Sequence, residues 1–213
     1  MPPLIIRIGE TENAEAALTR AAEVIRSGGM VSVPTESFYG LAVNALDEAA
    51  VQRLLAVKQI RDNHPILTLI PSRETLPKYV LSVPPLAEDL MNAFWPGGIT
   101  LVFDASEIVP PLLTAGTGKI GVRLSSHPIA AGLARRVGLP ITGTSANVTG
   151  ESPCVRAGEV LTSLGEGVDV ILDGGKTEGG KGSTVLDVTV NPPRILRKGM
   201  VSVDRLRPFI PGL

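Results

Sequence analysis

Two kinds of side chain in this sequence could do chemistry, cations and hydroxyls, and both fall where turns are expected. Thr35, Lys58 with Arg61, Lys119 with Arg123, Ser145 with Asn147, Ser152, Ser183 and Arg197 make up the set. Groups of these types hold phosphates and carboxylates through charge-assisted hydrogen bonds, and phosphoryl chemistry asks mainly for alignment and charge stabilisation. The chain has no Walker loop, no GxGxxG after a strand and no HExxH. Its only histidines are His64 and His127, which argues against a histidine relay or a histidine-built metal site. Taken one at a time, the same residues have structural readings. Ser145 and Asn147 can satisfy backbone groups in a turn, Thr35 can cap or close a loop, and Arg197 can be a surface cation on a sheet edge.

The elements that must carry these residues alternate along the chain. Residues 14–25 put Ala17, Leu18, Ala21, Ala22 and Ile25 on one helical face, and Gly28-Gly29 stops the helix. Residues 30–33 read as a short strand, and Pro34-Thr35-Glu36-Ser37 as a turn that displays hydroxyls behind it. Helical spacing returns over residues 48–60 through Val51, Leu54 and Leu55, and Pro65 opens a buried strand over 66–70. Residues 86–94 read as a helix, 96–98 as a turn, 99–103 and 120–124 as strands, and His127-Pro128 opens a helix to Val137. A loop follows over 143–147, with further strands over 168–172 and 183–188. The glycines of 174–182 mark a mobile loop, a backbone surface that can approach a ligand, or an ordinary solvated turn. Helix and strand in alternation predict an α/β sheet.

Hydrophobic residues are 44% of the 213 and charged residues 19%, enough apolar surface for one core, so a single domain over residues 1–213 is expected. Because 20 Lys and Arg meet 21 Asp and Glu, no net field draws the chain to nucleic acid or an anionic membrane. An anion site must therefore be built locally. Cys154 is the only cysteine, which leaves no intrachain disulfide or thiolate cluster and reads as a small buried residue in a reducing compartment. No apolar run approaches the roughly 18–20 residues of a membrane span, and the N-terminal apolar stretch lacks a basic flank, so a cytoplasmic protein is expected.

Six segments, in order, resemble the YrdC/Sua5/YciO family. Pro34-Thr35-Glu36-Ser37-Phe38-Tyr39-Gly40-Leu41 is similar to the family's PTET-x-YGL, Trp95-Pro96-Gly97-Gly98-Ile99-Thr100 to WPGPLT, and Val122-Arg123 with His127-Pro128 to VRxPxHP. Thr144-Ser145-Ala146-Asn147 is similar to PSAN, Lys181-Gly182-Ser183-Thr184-Val185 to the STV segment, and Ile195-Leu196-Arg197-Lys198-Gly199 to the LRxG end. The resemblance implies an α/β fold with a twisted, mostly mixed sheet, flanking helices and a concave, positively charged face. It also implies an L-threonylcarbamoyladenylate synthase of the short form, making threonylcarbamoyl-AMP and pyrophosphate from threonine, bicarbonate and ATP with Mg²⁺. The product would serve tRNA t6A modification through downstream tRNA-modification proteins. By the same resemblance Thr35 contacts the amino acid, Arg123 pairs its carboxylate and Gly143 offers backbone groups beside it. Ser145, Asn147, Ser152, Ser183 and Lys119 hold the nucleotide and Arg197 takes a phosphate. Lys58 and Arg61 neutralise phosphate charge as the threonine carbamate attacks the α-phosphorus. Tyr39 and Trp95 read as packing residues.

The chain departs from the family pattern at three places. The family's KxRPxxxPL reads here Lys58-Gln59-Ile60-Arg61-Asp62-Asn63-His64-Pro65-Ile66, with Ile60 in the arginine slot and Arg61 one place later, about 100° round a helix. If the helix ends by Ile60, Arg61 can point back and take over the phosphate contact; if it runs to Asp62, Arg61 faces away. Leu69 stands where the family has a polar group, and Lys119 where a small hydroxyl is usual. These departures fit a YciO-like paralogue with a different substrate or activity. The alternative class is a non-enzymatic module that binds double-stranded RNA by shape and phosphate contacts. With only 3% aromatic residues, stacking on single strands is disfavoured.

Overall fold

In the computed structural model, which describes residues 2–9, 12–60, 64–210 and 212, the strands fall into two mixed sheets. The strands are β1 (Leu4–Arg7), β2 (Val31–Pro34), β3 (Tyr39–Ala42), β4 (Thr68–Leu69), β5 (Ile99–Asp104), β6 (Lys119–Arg123), β7 (Ile141–Thr142), β8 (Thr144–Ser145), β9 (Val170–Asp173), β10 (Thr184–Asp187) and β11 (Arg194–Arg197). The helices are α1 (Glu12–Arg26), α2 (Glu48–Val57), α3 (Pro85–Phe94), α4 (Pro128–Val137), α5 (Ala157–Leu164) and α6 (Val203–Leu206). One sheet has the order β1-β9-β2-β3-β8 and the other β11-β10-β5-β6-β4-β7. In the first, β2 runs parallel to β9 and antiparallel to β3; in the second, β5 runs parallel to β10 and antiparallel to β6. The mixed α/β architecture agrees with expectation, although the strands divide between two sheets where one was expected.

Small residues let the helices pack closely. The buried face of α1 (Ala17, Leu18, Ala21, Ala22, Ile25) meets Ala130, Leu133 and Ala134 of α4 over the strands β2 and β9. At Gly132 an added Cβ would lie 2.9 Å from Leu18, so the two helices approach as closely as a bare backbone allows. Both helices stop as the glycines require: Gly28 takes φ +84 and Gly138 φ +76, a left-handed turn open to residues without a Cβ. The larger core joins both sheets through Tyr39, Leu41, Leu54, Leu101, Phe103 and Leu186.

Helix α2 starts where Asp47 caps it, accepting from Ala49 N at 3.0 Å and Ala50 N at 3.1 Å. Its Arg53 forks onto Asp169 at 2.7 and 2.9 Å, and Asp169 also accepts from Met30 N at 2.7 Å, which fixes the helix to the starts of β2 and β9. The helix ends at Val57, three residues short of the expected end, because Lys58 caps it and Gln59 turns away at φ +54. Of the apolar run 66–70 only Thr68–Leu69 pairs as a strand. The elements β1, α5 and α6 were not anticipated by periodicity. Among the described residues no helix is long and apolar enough to cross a membrane.

Gly143 alone separates β7 from β8, yet those strands belong to different sheets. The crossing is sewn in place: Gly143 N donates to Leu67 O at 2.7 Å, Thr142 N to Val43 O at 3.0 Å, and Thr142 Oγ1 to Leu41 O at 2.8 Å. A second close approach brings the segment after β11 onto β10. Gly199 N donates to Thr184 Oγ1 at 3.1 Å, and a Cβ on Gly199 would fall on the backbone of Gly182 and Ser183. Backbone cannot move aside as a flexible side chain can. Gly199→Ala should therefore lower the unfolding free energy by about 1–3 kcal/mol in a denaturant titration. Gly158→Ala, on α5 with nothing within 4 Å, should leave it unchanged or raise it by up to about 1 kcal/mol.

Candidate active site

At the seam between the sheets lies a cleft of about 460 Å³. Thr35, Ser37 and Phe38 of the β2–β3 turn form one wall, and Gly143, Thr144 and Ser145 of the crossing form the next. Arg123 at the end of β6, Ser183 ahead of β10 and Arg197 at the end of β11 bring in charge and a hydroxyl. Ile60, Ile66, Leu67 and Leu69 make an apolar side.

Lys58 is 4% exposed, and its ammonium donates to Ser145 O at 2.5 Å and Asn147 O at 2.8 Å. Its own carbonyl accepts from Thr149 N at 2.9 Å, so one residue grips the loop after β8 at both ends. Burial pushes its pKa down to about 8, opposed weakly by Cys154. Asn147 is also buried: its amide donates to Val148 O at 2.8 Å and Glu151 O at 3.0 Å, which leaves Oδ1 buried without a partner among the described residues.

Arg123 is held from two sides. Its Nε donates to Gly97 O at 2.7 Å, and Nη2 lies 2.5 Å from Glu36 Oε2, misaligned for a hydrogen bond, so the contact is an ion pair. Burial alone would raise the Glu36 carboxyl, but Arg123 and the hydrogen bonds at its oxygens outweigh it and hold it below its ordinary value. Across the cleft Arg197 donates from Nη2 to Ser183 Oγ at 3.0 Å and from Nε to Ser183 O at 3.1 Å. Ser183 Oγ in turn shares a 2.8 Å hydrogen bond with Thr100 Oγ1. Desolvation, then the charge of Arg123, lowers the pKa of Arg197.

The fold thus brings Thr35, Lys58, Arg123, Gly143, Ser145, Asn147, Ser183 and Arg197 to one cleft. Lys119 is elsewhere, paired with Asp187 at 2.9 Å and absent from the lining, because its place at the start of β6 is at the opposite end of the strand from Arg123. Ser152 is exposed between Gly150 and Pro153, which line the cleft, but does not line it itself. Arg61 lies outside the described residues, while Ile60 stands in the wall. Thr35 Oγ1 also donates to Phe38 O at 2.7 Å, closing its turn as the structural reading requires. The glycine-rich segment is anchored: Tyr39 Oη donates to Gly175 O at 2.7 Å, Gly179 N to Ser37 O at 2.7 Å and Thr177 N to Val155 O at 3.0 Å. Of that segment only Gly182 reaches the cleft. Trp95 and Cys154 are core residues, as expected. The sequence reading missed Glu36 and Thr100, although both stand inside recognised motifs and Glu36 directly follows Thr35.

A two-sheet α/β fold defines the molecule, and its seam gathers a buried ammonium, two guanidiniums and hydroxyl-bearing turns in one cleft. Residues 23–199 match the Sua5/YciO/YrdC family model, described as telomere recombination, and the chain belongs to that family. A threonylcarbamoyl-AMP synthase of Pyrococcus abyssi is 39% identical over 190 residues, which are 89% of this chain and 56% of that protein. A Mycobacterium tuberculosis relative is 36% identical over 92% of this chain and 90% of its own length. The crystal structure of P. abyssi Sua5 complexed with L-threonine matches with a TM-score of 0.92 at 36% identity, over 98% of this chain and 60% of that one. Escherichia coli YciO matches at 0.86 and 28% identity, over 98% and 100%. The chain thus spans little more than half the length of the P. abyssi relative.

The Lys58 geometry carries a pH dependence. An anion beside the ammonium favours its charged form and raises the pKa above the free value of about 8, so binding takes up protons above that pH. Calorimetry with inorganic sulfate, an anion that does not itself titrate in this range, in buffers of different ionisation heat should show uptake near pH 8.5 and none near pH 6, with weaker affinity at the higher pH. Lys58→Met should abolish the difference.

Proposed function

We propose that this protein is an enzyme, an L-threonylcarbamoyladenylate synthase acting as a nucleotidyltransferase, and that the chain works as one unit because both sheets supply its cleft. The observation that carries the reading is the convergence of Lys58, Ser145 and Asn147 with Arg123 and Arg197 around one seam. Threonine amine and bicarbonate form a carbamate with loss of water. A carbamate oxygen then attacks the α-phosphorus of ATP, the bond to the bridging oxygen breaks, and pyrophosphate leaves. Nothing in this sequence needs a protein nucleophile, so the chain contributes alignment and charge.

Arg123 receives the threonine carboxylate, with Thr35 and the Gly143 backbone beside it. Lys58 and Arg197 face the phosphates, Ser183 acts by holding Arg197, and the unpartnered Oδ1 of Asn147 suits a ribose hydroxyl donor. Ser152, exposed outside the lining, is left out of the nucleotide set. Among the described residues the cleft lining carries no carboxylate, so Mg²⁺ would come as part of the nucleotide substrate. The adenylate passes to tRNA-modification proteins in the cytoplasm. One observation favours a second reading, a YciO-like activity or duplex-RNA binding: Ile60 occupies the cleft wall at the arginine slot.

Pyrophosphate release should require threonine and bicarbonate together, and release indifferent to both would remove the synthase reading. Duplex RNA retained on filters with a steep salt dependence, without pyrophosphate, would support the second reading. Arg123→Ala should raise the KM for threonine at least about tenfold with little change for ATP, and Ser183→Ala should do the reverse.

A further inference from the structure

We propose that Glu36 is a positioning residue that aims the Arg123 guanidinium into the cleft and sets how much uncompensated positive charge the cleft presents. The inference rests on the reading of Arg123 as the partner of the amino-acid carboxylate. Glu36 sits in the β2–β3 turn between Thr35 and Ser37, both of which line the cleft, but it is not itself in the lining. Its side chain is 11% exposed and that of Arg123 8%.

The carboxylate has no freedom to move. Oε1 accepts from Ser125 Oγ at 2.9 Å, Ser126 N at 2.6 Å, Ser126 Oγ at 2.9 Å and His127 N at 3.2 Å, donors gathered where α4 begins. Negative charge is favoured there by the helix dipole. Oε2 is left for Arg123, and an oxygen fixed by four donors on its partner atom cannot follow the arginine, so the arginine must follow it. With Nε tied to Gly97 O, two points fix the plane of the guanidinium that meets the cleft. Without Glu36 a buried cation would face Arg197 with no counter-charge.

The test is a double-mutant cycle on the full chain with Glu36→Gln and Arg123→Ala, following steady-state kinetics, thermal stability and pyrophosphate affinity. Glu36→Gln should raise the threonine KM about tenfold while kcat and the ATP KM move less than about threefold. In the Arg123→Ala background the same change should add less than about twofold. Pyrophosphate should bind Glu36→Gln more tightly than the parent, an advantage that fades with salt. Glu36→Asp, charged but one methylene shorter, should restore part of the threonine KM, and it carries the same cycle if Glu36→Gln does not fold. Lower stability and kcat with an unchanged threonine KM, additive effects in the cycle, or weaker pyrophosphate binding would each overturn the proposal. If Arg123→Ala leaves the threonine KM unchanged, the reading of Arg123 fails and the proposal with it. If Arg123→Ala raises it and Glu36→Gln does not, only the role of Glu36 is lost.

Discussion

A buried ammonium is the constraint from which much of this structure follows. A lysine that is 4% exposed must be given hydrogen-bond acceptors, and here they are backbone carbonyls of Ser145 and Asn147, not a carboxylate. Carbonyls can converge on one point only if the chain bends there, so the loop after β8 is irregular where it meets Lys58. The same demand acts on α2. Lys58 N still donates to Leu54 O at 3.0 Å, so the helix itself aims the side chain at the loop, and the turn at Gln59 then carries the chain away. A buried charge at the cleft and the end of a helix thus meet at one residue.

The crossing between sheets answers a related problem. A cleft lined by backbone as well as side chains needs two sheets to approach without a layer of side chains between them. Gly143 meets that need, since a Cβ there would lie 3.2 Å from Leu69 Cγ. Gly199 does the same on the far wall, bringing the end of β11 against Ser183 so that Arg197 can hold its hydroxyl and carbonyl together. In both places the missing side chain is what lets a functional neighbour reach its position.

These relations explain what could be read in the sequence and what could not. The helices α1 and α4 were legible because their apolar faces repeat at helical spacing and glycines stop them. The convergence of Thr35, Arg123, Ser145 and Ser183 followed from motif resemblance, which stands in for long-range contacts that no local pattern records. Lys119 shows the limit: as a cation near Arg123 in sequence it invites a shared role, but strand geometry sends it to Asp187. Glu36 escaped notice for the opposite reason. Its partners Ser125, Ser126 and His127 lie about ninety residues away, and only the folded chain shows one carboxylate collecting them.

Among the described residues, Lys58, Arg123 and Arg197 in the cleft are each restrained before an anion arrives. Lys58 is desolvated to a pKa of about 8, Arg197 is lowered by burial and by Arg123, and Arg123 faces a carboxylate held on four donors. Three free cations crowded into this space would repel one another and weaken the fold. Restraint by desolvation and by mutual repulsion is relieved when a polyanion binds, whereas restraint by Glu36 persists. Lys58 and Arg197 therefore have the most to gain from an added anion, and Arg123, already paired with Glu36, has less. Under the proposed function, a division of labour between nucleotide and amino acid follows from how each of these charges is balanced within the protein.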